Sequence, residues 1–180
     1  MIDGSKLPMA ENIALTKKVV DYAHAHGVVV EGEIGHVGSN ENADDNDIYT
    51  TVEEATTFAK ESQVDSLAVS IGTAHGLYKG TPKLNFDRLH ELAAAVSCPL
   101  VLHGGSNSGD DNLHRCATEG IAKVNVYSDF MVSAAKPVFA LEQKEPEVED
   151  YYTMKAAAKK GMQDMLRHVY KLFATQPVEK

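Results

Sequence analysis

Two stretches that end in the same way decide the fold: Leu67-Ala-Val-Ser-Ile-Gly-Thr-Ala-His75-Gly76 and Pro99-Leu-Val-Leu-His103-Gly104-Gly105-Ser106. Each is a short apolar run that ends in a histidine followed at once by glycine. Such a run is typical of a buried strand in a parallel sheet. The histidine then lies at the carboxyl end of its strand, where parallel α/β folds place their chemistry. The two histidines either converge on one metal ion or anion, or are unrelated residues at the rim.

Composition narrows the class of protein. The chain has 180 residues and a formal net charge of −9, which argues against a nucleic acid partner because phosphate backbones need clustered Lys and Arg. No apolar run approaches a membrane span, and the first residues lack a signal-peptide pattern. Cys98 and Cys116 form no metal or redox motif. We interpret them as reduced core thiols of a cytoplasmic protein.

Strand and helix patterns alternate along the whole chain. Strands are predicted near 1–3, 28–34, 65–71, 99–103 and 122–126, each followed by a helical pattern. No linker divides them, so residues 1–180 are predicted to form a single domain. Five βα units fit either an open doubly wound sheet or part of a (β/α)8 barrel.

Helix boundaries are marked by capping signals. Thr51-Val-Glu-Glu54 is a capping box that opens a helix to about Ser62. Ser128 is predicted to cap a later helix, and an amphipathic helix is expected from about Tyr151 to Phe173.

Acidic residues cluster between 31 and 49. Glu31 and Glu33 alternate along one strand and therefore share a face, which in a barrel would be the interior. The polar loop 35–49 that follows is longer than most loops in compact domains. It is either a lid or an acidic surface loop.

Two turns on the last strands have the character of an anion site. Gly104-Gly105-Ser106 follows one strand, and Asn125-Val-Tyr-Ser128 runs from the next strand into a helix. Glycines let backbone N–H groups approach an anion, and a helix N-terminus adds its dipole. Neither the dinucleotide-binding nor the P-loop glycine spacing is present. We therefore predict a phosphate group of a small substrate here.

At these residues the sequence resembles the class II, metal-dependent ketose-bisphosphate aldolases. The motifs that carry the resemblance are Val30-Glu-Gly-Glu-Ile-Gly35, Asp65-Ser-Leu-Ala-Val-Ser-Ile-Gly-Thr-Ala-His75-Gly76, Pro82-Lys-Leu-Asn-Phe-Asp87, Leu100-Val-Leu-His-Gly-Gly-Ser106 and Ile121-Ala-Lys-Val-Asn125. That family folds as a (β/α)8 TIM barrel. The resemblance thus implies an incomplete barrel, with parallel strands four to eight followed by C-terminal helices.

The resemblance also implies roles for individual residues. His75 and His103 match two of the three histidines that hold a divalent metal, usually zinc, while Asp3 and Glu33 match acids of a second or displaced metal position. Glu41 matches a loop acid that moves a proton. The positions that match the grip on the ketose phosphate are Gly76, Gly104, Gly105, Ser106, Asn125, Val126, Tyr127 and Ser128. The third histidine belongs to an Asp-His pair whose aspartate is the main acid/base, and the 180 residues contain no such pair.

The implied activity is glycolytic. It is the reversible aldol cleavage of fructose or tagatose 1,6-bisphosphate to dihydroxyacetone phosphate and glyceraldehyde 3-phosphate. Cleavage beside a ketone leaves an enediolate, whose charge a divalent metal stabilises as a Lewis acid. The resemblance further implies a monovalent cation, a homodimer or homotetramer, and no membrane partner.

Two alternatives stay open. Lys123 lies within a predicted strand and could serve as a Schiff-base lysine, although only its position marks it. The chain could also be a non-catalytic barrel fragment that binds a sugar phosphate or completes itself with another chain, since a partial barrel exposes sheet edges and an apolar interior.

Overall fold

The computed structural model describes residues 1–35, 49–73, 81–144 and 150–176. Five short parallel strands form one sheet in chain order: β1 (Ile2–Asp3), β2 (Glu31–Glu33), β3 (Ser66–Ala68), β4 (Leu100–Leu102) and β5 (Ile121–Val124). The helices are α1 (Met9–His24), α2 (Val52–Ser62), α3 (Phe86–Ala95), α4 (Asp110–Glu119), α5 (Ser128–Lys144) and α6 (Tyr151–Leu172). The predicted parallel strands, adjacent in chain order, are confirmed.

One part of the strand prediction is wrong. The run Val28-Val-Val30 does not belong to β2, which begins at Glu31. Val28 and Val29 are 56% and 75% exposed, and the Val28 amide donates to the carbonyl of Ala23 at 3.0 Å. Val28 and Val29 thus lie in the turn that follows α1 and stay outside the core, whereas Val30 is 3% exposed and packs in the core cluster.

The apolar core lies between the sheet and a layer of helices. Leu67 of β3 and Leu100 and Leu102 of β4 point to this side and are at most 2% exposed. They pack in one cluster with Phe58 of α2 and Leu89 of α3. Helices α1 to α4 contact one another in sequence, which places them side by side over the sheet. The other face of the sheet carries the charged side chains of β2 and β5, with the buried Ala68 and Val101 between them.

The capping box of α2 forms as predicted. The Glu54 amide donates to Thr51 Oγ1 at 3.2 Å, and the Thr51 amide donates to Glu54 Oε2 at 2.9 Å. Both contacts satisfy N–H groups that have no partner inside the helix. The start of α2, which follows the long predicted loop, is therefore specified locally by the sequence.

Helices α5 and α6 pair with each other more than with the sheet. Gly161 of α6 lies against the carbonyl of Ser133 and the ring of Pro137, so a Cβ there would collide with α5. Glycine thus permits the close approach of the two helices.

The strand order and the single helix layer are those of a partial (β/α)8 barrel. Most of the predicted lid 35–49, namely residues 36–48 with Glu41, lies outside the described residues, as does the segment 74–80 with His75 and Gly76. Within the described ranges, no helix has the length and apolar character that crossing a membrane requires.

Candidate active site

The polar face of the sheet gathers side chains from three strands. Glu31 and Glu33 project from β2, His103 follows β4 directly, and Lys123 projects from β5. The intervening strand, β3, places only Ser66 and Ala68 beside the two glutamates. Because these residues are small, carboxylates on β2 can reach over β3 to the histidine.

His103 lies between the two carboxylates. Its Nε2 is hydrogen-bonded to Glu31 Oε1 at 3.0 Å, and its Nδ1 lies 3.0 Å from Glu33 Oε2. The side chains of His103 and Glu33 are each 5% exposed, and that of Glu31 is 10% exposed. Buried charges are stable only when they are paired, so these three residues form one electrostatic unit.

Lys123 extends this unit toward solvent. Its Nζ donates to Glu31 Oε2 at 2.7 Å, so each oxygen of the Glu31 carboxylate has a partner. The Lys123 side chain itself is 52% exposed. A Schiff-base lysine must present its nitrogen to the substrate carbonyl, whereas Lys123 Nζ is directed to the Glu31 carboxylate. This contact disfavours the Schiff-base alternative.

The surroundings shift the pKa values of both His103 and Glu31. The carboxylates, Glu33 most and then Glu31, raise the pKa of His103 against the burial that lowers it. Burial alone would raise the pKa of Glu31, but hydrogen bonds from Lys123 and His103 outweigh it and leave that pKa below its usual value. The unit therefore favours an ionised Glu31 beside a histidine that holds a proton.

Asp3 occupies the edge of this face. It pairs in register with Glu33 across β1 and β2, which places the two residues on the same side of the sheet. Its Oδ1 accepts hydrogen bonds from the Ser5 amide at 2.9 Å and the Ser5 hydroxyl at 2.7 Å. Burial would raise the pKa of Asp3, but the Ser5 hydrogen bonds and the nearby His103 lower it overall. In this structure the Asp3 carboxylate is therefore hydrogen-bonded within the turn that follows β1.

The two predicted phosphate turns lie in contact. The Gly105 amide donates to the Asn125 carbonyl at 3.0 Å. Ser106 Oγ accepts from the amides of Tyr127 at 2.9 Å and Asp129 at 3.4 Å. At the start of α5 the capping hydroxyl is therefore that of Ser106, where the sequence had indicated Ser128. The sequence offered no signal for this long-range cap.

Several backbone N–H groups of these two turns already donate hydrogen bonds within the protein. The Asn107 amide donates to Asp129 Oδ2 at 2.8 Å, in addition to the contacts of Gly105 and Tyr127. A phosphate at this position would have to take its N–H contacts from other amides of the two turns. Gly104, with a φ of 68°, adopts a backbone conformation that favours glycine at the entry to the first turn.

The donor set around His103 fits a divalent metal. Imidazole nitrogen and carboxylate oxygen are both zinc ligands. His103 Nδ1 and Glu33 Oε2 lie 3.0 Å apart, which is a hydrogen-bond distance, and a metal bound here would replace the proton between them. The described residues alone present no group of three or more His, Cys, Asp or Glu arranged to hold a metal. A complete site would need further ligands, for which His75 is the sequence-predicted candidate.

Comparison with known proteins identifies the family. The family model described as fructose-bisphosphate aldolase class-II matches residues 1–177. The chain belongs to this family. It is 45% identical to a 6-phospho-5-dehydro-2-deoxy-D-gluconate aldolase of Shouchella clausii (strain KSM-K16), over 79% of this chain and 50% of that protein. The chain thus spans about half the length of that curated relative.

Solved structures agree on the fold. The YdjI aldolase from Escherichia coli K12 superposes with a TM-score of 0.81 and 33% identity, covering 96% of this chain and 60% of that one. The fructose-bisphosphate aldolase from Campylobacter jejuni superposes with a TM-score of 0.80 and 21% identity, covering 96% of this chain and 59% of that one. The predicted incomplete TIM barrel of an aldolase family is confirmed.

Proposed function

We propose that this chain carries the metal-binding and phosphate-binding part of a metal-dependent aldolase. The reaction is the reversible cleavage of fructose or tagatose 1,6-bisphosphate to dihydroxyacetone phosphate and glyceraldehyde 3-phosphate. The observation that supports this proposal is the setting of His103. It is buried between two carboxylates at the end of β4 and is followed directly by the turn that contacts the start of α5.

In this proposal His103 and His75 hold a divalent ion, which we take to be zinc, and Asp3 and Glu33 serve a second or displaced position next to it, Glu33 with its Oε2 3.0 Å from His103 Nδ1. The ion supplies Lewis-acid stabilisation of the negative charge that develops on substrate oxygens. Gly104, Gly105 and Ser106, with Gly76 and residues 125–128, orient the substrate through its phosphate. The proposal retains Glu41 as the loop residue that moves a proton and a monovalent cation as a further cofactor.

The identity of the sugar phosphate has a second candidate. The relative with 45% identity is named for 6-phospho-5-dehydro-2-deoxy-D-gluconate, which is not a ketose bisphosphate. Both classes of substrate carry a phosphate, so the two turns serve either. The assay below therefore includes both.

The 180 residues contain more of the groups proposed for substrate binding than of those needed for aldol cleavage. No Asp-His pair occurs in the 180 residues, so the main acid/base of the family pattern is not supplied by them. General acid–base catalysis is worth typically ~10²–10⁴ in rate. We expect little or no zinc-dependent cleavage from the purified 180-residue chain alone. The alternative role is that of a non-catalytic fragment that binds a sugar phosphate or is completed by another chain, and binding without turnover distinguishes it from the first.

A coupled assay for triose phosphate release tests the proposal. The purified chain is assayed on the ketose bisphosphates and on 6-phospho-5-dehydro-2-deoxy-D-gluconate, each with zinc and with chelator. Each assay is run with the chain alone and after addition of a separately expressed segment with three βα units ending in Asp-His. Calorimetry measures binding of dihydroxyacetone phosphate in the same samples, with His103→Ala as the control. Zinc-dependent release in the mixture, lost in the control, supports the aldolase.

Three results would change the proposal. Failure of the chain to bind dihydroxyacetone phosphate in the presence of zinc would remove both the aldolase and the sugar phosphate fragment. Binding without turnover in any mixture would leave the non-catalytic role. Robust, chelator-sensitive turnover by the chain alone would show that another side chain replaces the Asp-His aspartate.

The cellular setting is also part of the proposal. Cys98 and Cys116 are both free thiols, as expected in a reducing compartment, and we place the protein in the cytoplasm. We propose a homodimer or homotetramer as its assembly, a small sugar phosphate as its partner, and neither nucleic acid nor membrane binding. Sedimentation analysis would measure the assembly directly.

A further inference from the structure

We infer that Glu31 and Lys123 are positioning residues that fix the orientation and the tautomer of His103. Glu31 accepts the proton on Nε2, Lys123 holds the second oxygen of Glu31, and Nδ1 is thereby presented toward Glu33 as the metal-binding nitrogen. The inference rests on the proposed function in one respect, that His103 binds a metal. The orientation of the ring can be tested separately.

The first argument is the use of both carboxylate oxygens. Glu31 Oε1 lies 3.0 Å from His103 Nε2, and Glu31 Oε2 lies 2.7 Å from Lys123 Nζ. A carboxylate with two fixed partners cannot rotate without losing one of them. The imidazole ring is therefore held by a group that is itself held, across a sequence distance of 92 residues between Glu31 and Lys123.

The second argument is charge. The Glu31 side chain is 10% exposed, and a carboxylate removed from water stays ionised only when it is paired. Lys123 provides that pairing from the solvent side, where its own side chain is 52% exposed. The lysine thus acts on His103 through the glutamate, because it holds the carboxylate whose other oxygen contacts Nε2.

The third argument is the proton count of the ring. A neutral imidazole carries one N–H and one lone pair, and a metal takes the lone pair. Metal-binding histidines usually donate the remaining N–H to a carboxylate, which fixes the tautomer. Each oxygen of Glu31 is already bound, one to His103 Nε2 and the other to Lys123 Nζ, so we assign the N–H to Nε2 and Glu31 as its acceptor. Glu33, whose Oε2 lies 3.0 Å from Nδ1, is then on the side of the ring that faces the metal.

The competing explanation is that Lys123–Glu31 is a structural ion pair that only stabilises the sheet. Such a pair would change the unfolding temperature without changing the affinity for metal or the tautomer of His103. Metal affinity and the ring proton are therefore the measurements that separate the two roles.

The test compares Lys123→Met and Glu31→Gln with the unaltered chain. Lys17→Met is the matched control, because Lys17 also forms a 2.7 Å ion pair, with Asp21 on the exposed side of α1. Zinc affinity is measured by competition with a chromophoric chelator. The tautomer of His103 is read from ¹⁵N chemical shifts in alkaline, metal-free buffer, and thermal unfolding confirms that each variant is folded.

We expect His103 to carry its proton on Nε2 in the unaltered chain. Lys123→Met and Glu31→Gln should weaken zinc binding by about 10- to 100-fold, while Lys17→Met leaves it within about twofold. Unchanged zinc affinity in Lys123→Met, or a proton on Nδ1 in the unaltered chain, would overturn the inference. If Glu31→Gln fails to fold, Lys123→Met and the tautomer still decide it.

The same data separate this inference from the proposed function. A chain that binds no zinc at all would contradict the proposed metal site, whereas the proton on Nε2 would still support the orienting role of Glu31. A zinc affinity that neither substitution changes would be consistent with the proposed site and would refute the inference.

Discussion

The side-chain amide of Asn12 donates a hydrogen bond to the carbonyl oxygen of Glu33 across 2.9 Å, and so ties α1 to the end of β2. Asn12 is 2% exposed, and its Oδ1 accepts from the Thr16 hydroxyl at 3.1 Å. Gly4 packs directly over this amide, where a Cβ would collide with it. The backbone of a candidate metal ligand is thus anchored from the helix layer.

Asn12→Ala removes this anchor and leaves the Glu33 carbonyl buried without its partner. An unsatisfied buried polar group costs about 1–3 kcal/mol, so we expect the free energy of unfolding to fall by about that amount. Urea denaturation followed by circular dichroism measures it. The control is Glu11→Ala, the exposed neighbour on the same helix, which should change stability by less than about 0.5 kcal/mol. Equal stabilities of the two variants would refute the anchor.

Gly32 is a second point of close packing in β2. A Cβ there would lie 2.8 Å from Val64 Cγ1 and 2.9 Å from Phe58 Cε1, both of which belong to the core. Overpacking a core typically costs 1–3 kcal/mol, and we expect Gly32→Ala to lower the unfolding free energy by about that much. The exposed residue Val28, changed to Ala, is the control for the same segment. A stability as high as that of the unaltered chain would show that Phe58 can move aside.

Cys116 should be chemically inert in the folded protein. Burial raises the pKa of its thiol to about 12, so only about 10⁻⁴ of it is the reactive thiolate at pH 8. Reaction with a thiol-specific disulfide reagent should be slow before urea is added and rapid afterwards. In Cys98→Ser, where Cys116 is the one thiol left, a folded-state rate equal to the unfolded-state rate would refute this.

Much of the fold could be predicted because its signals are local. The capping box at Thr51 and Glu54 and the apolar runs of β3 and β4 each depend on neighbouring residues. The failure at Val28 and Val29 has the opposite cause. Their β propensity was overridden by a turn that the end of α1 imposes.

The candidate site was harder to predict because its contacts cross the sheet. Alternation placed Glu31 and Glu33 on one face, but it could not show that Glu31 meets His103 and Lys123. Those contacts depend on strand register and on the curvature of the sheet. One local signal was available and was missed. In Ser66-Leu-Ala68 the small residues alternate with a large one, which indicates a face that leaves room for side chains from neighbouring strands.

The contact between the two phosphate turns yields the last prediction. Ser106 Oγ accepts from the Tyr127 amide at 2.9 Å and thereby fixes the second turn against the first. Ser106→Ala removes this acceptor, and a hydrogen bond of this kind is worth about 0.5–1.5 kcal/mol. We expect dihydroxyacetone phosphate to bind roughly two- to tenfold more weakly, as measured by calorimetry with zinc present.

Two controls accompany this measurement. The affinity for unphosphorylated dihydroxyacetone should not change, because the turns act on the phosphate. Ser133→Ala, which removes a hydroxyl bonded to Phe130 within α5, should leave both affinities unchanged. An equal loss for the two ligands would show that Ser106 supports the site as a whole, and no loss for either would remove these turns from phosphate binding.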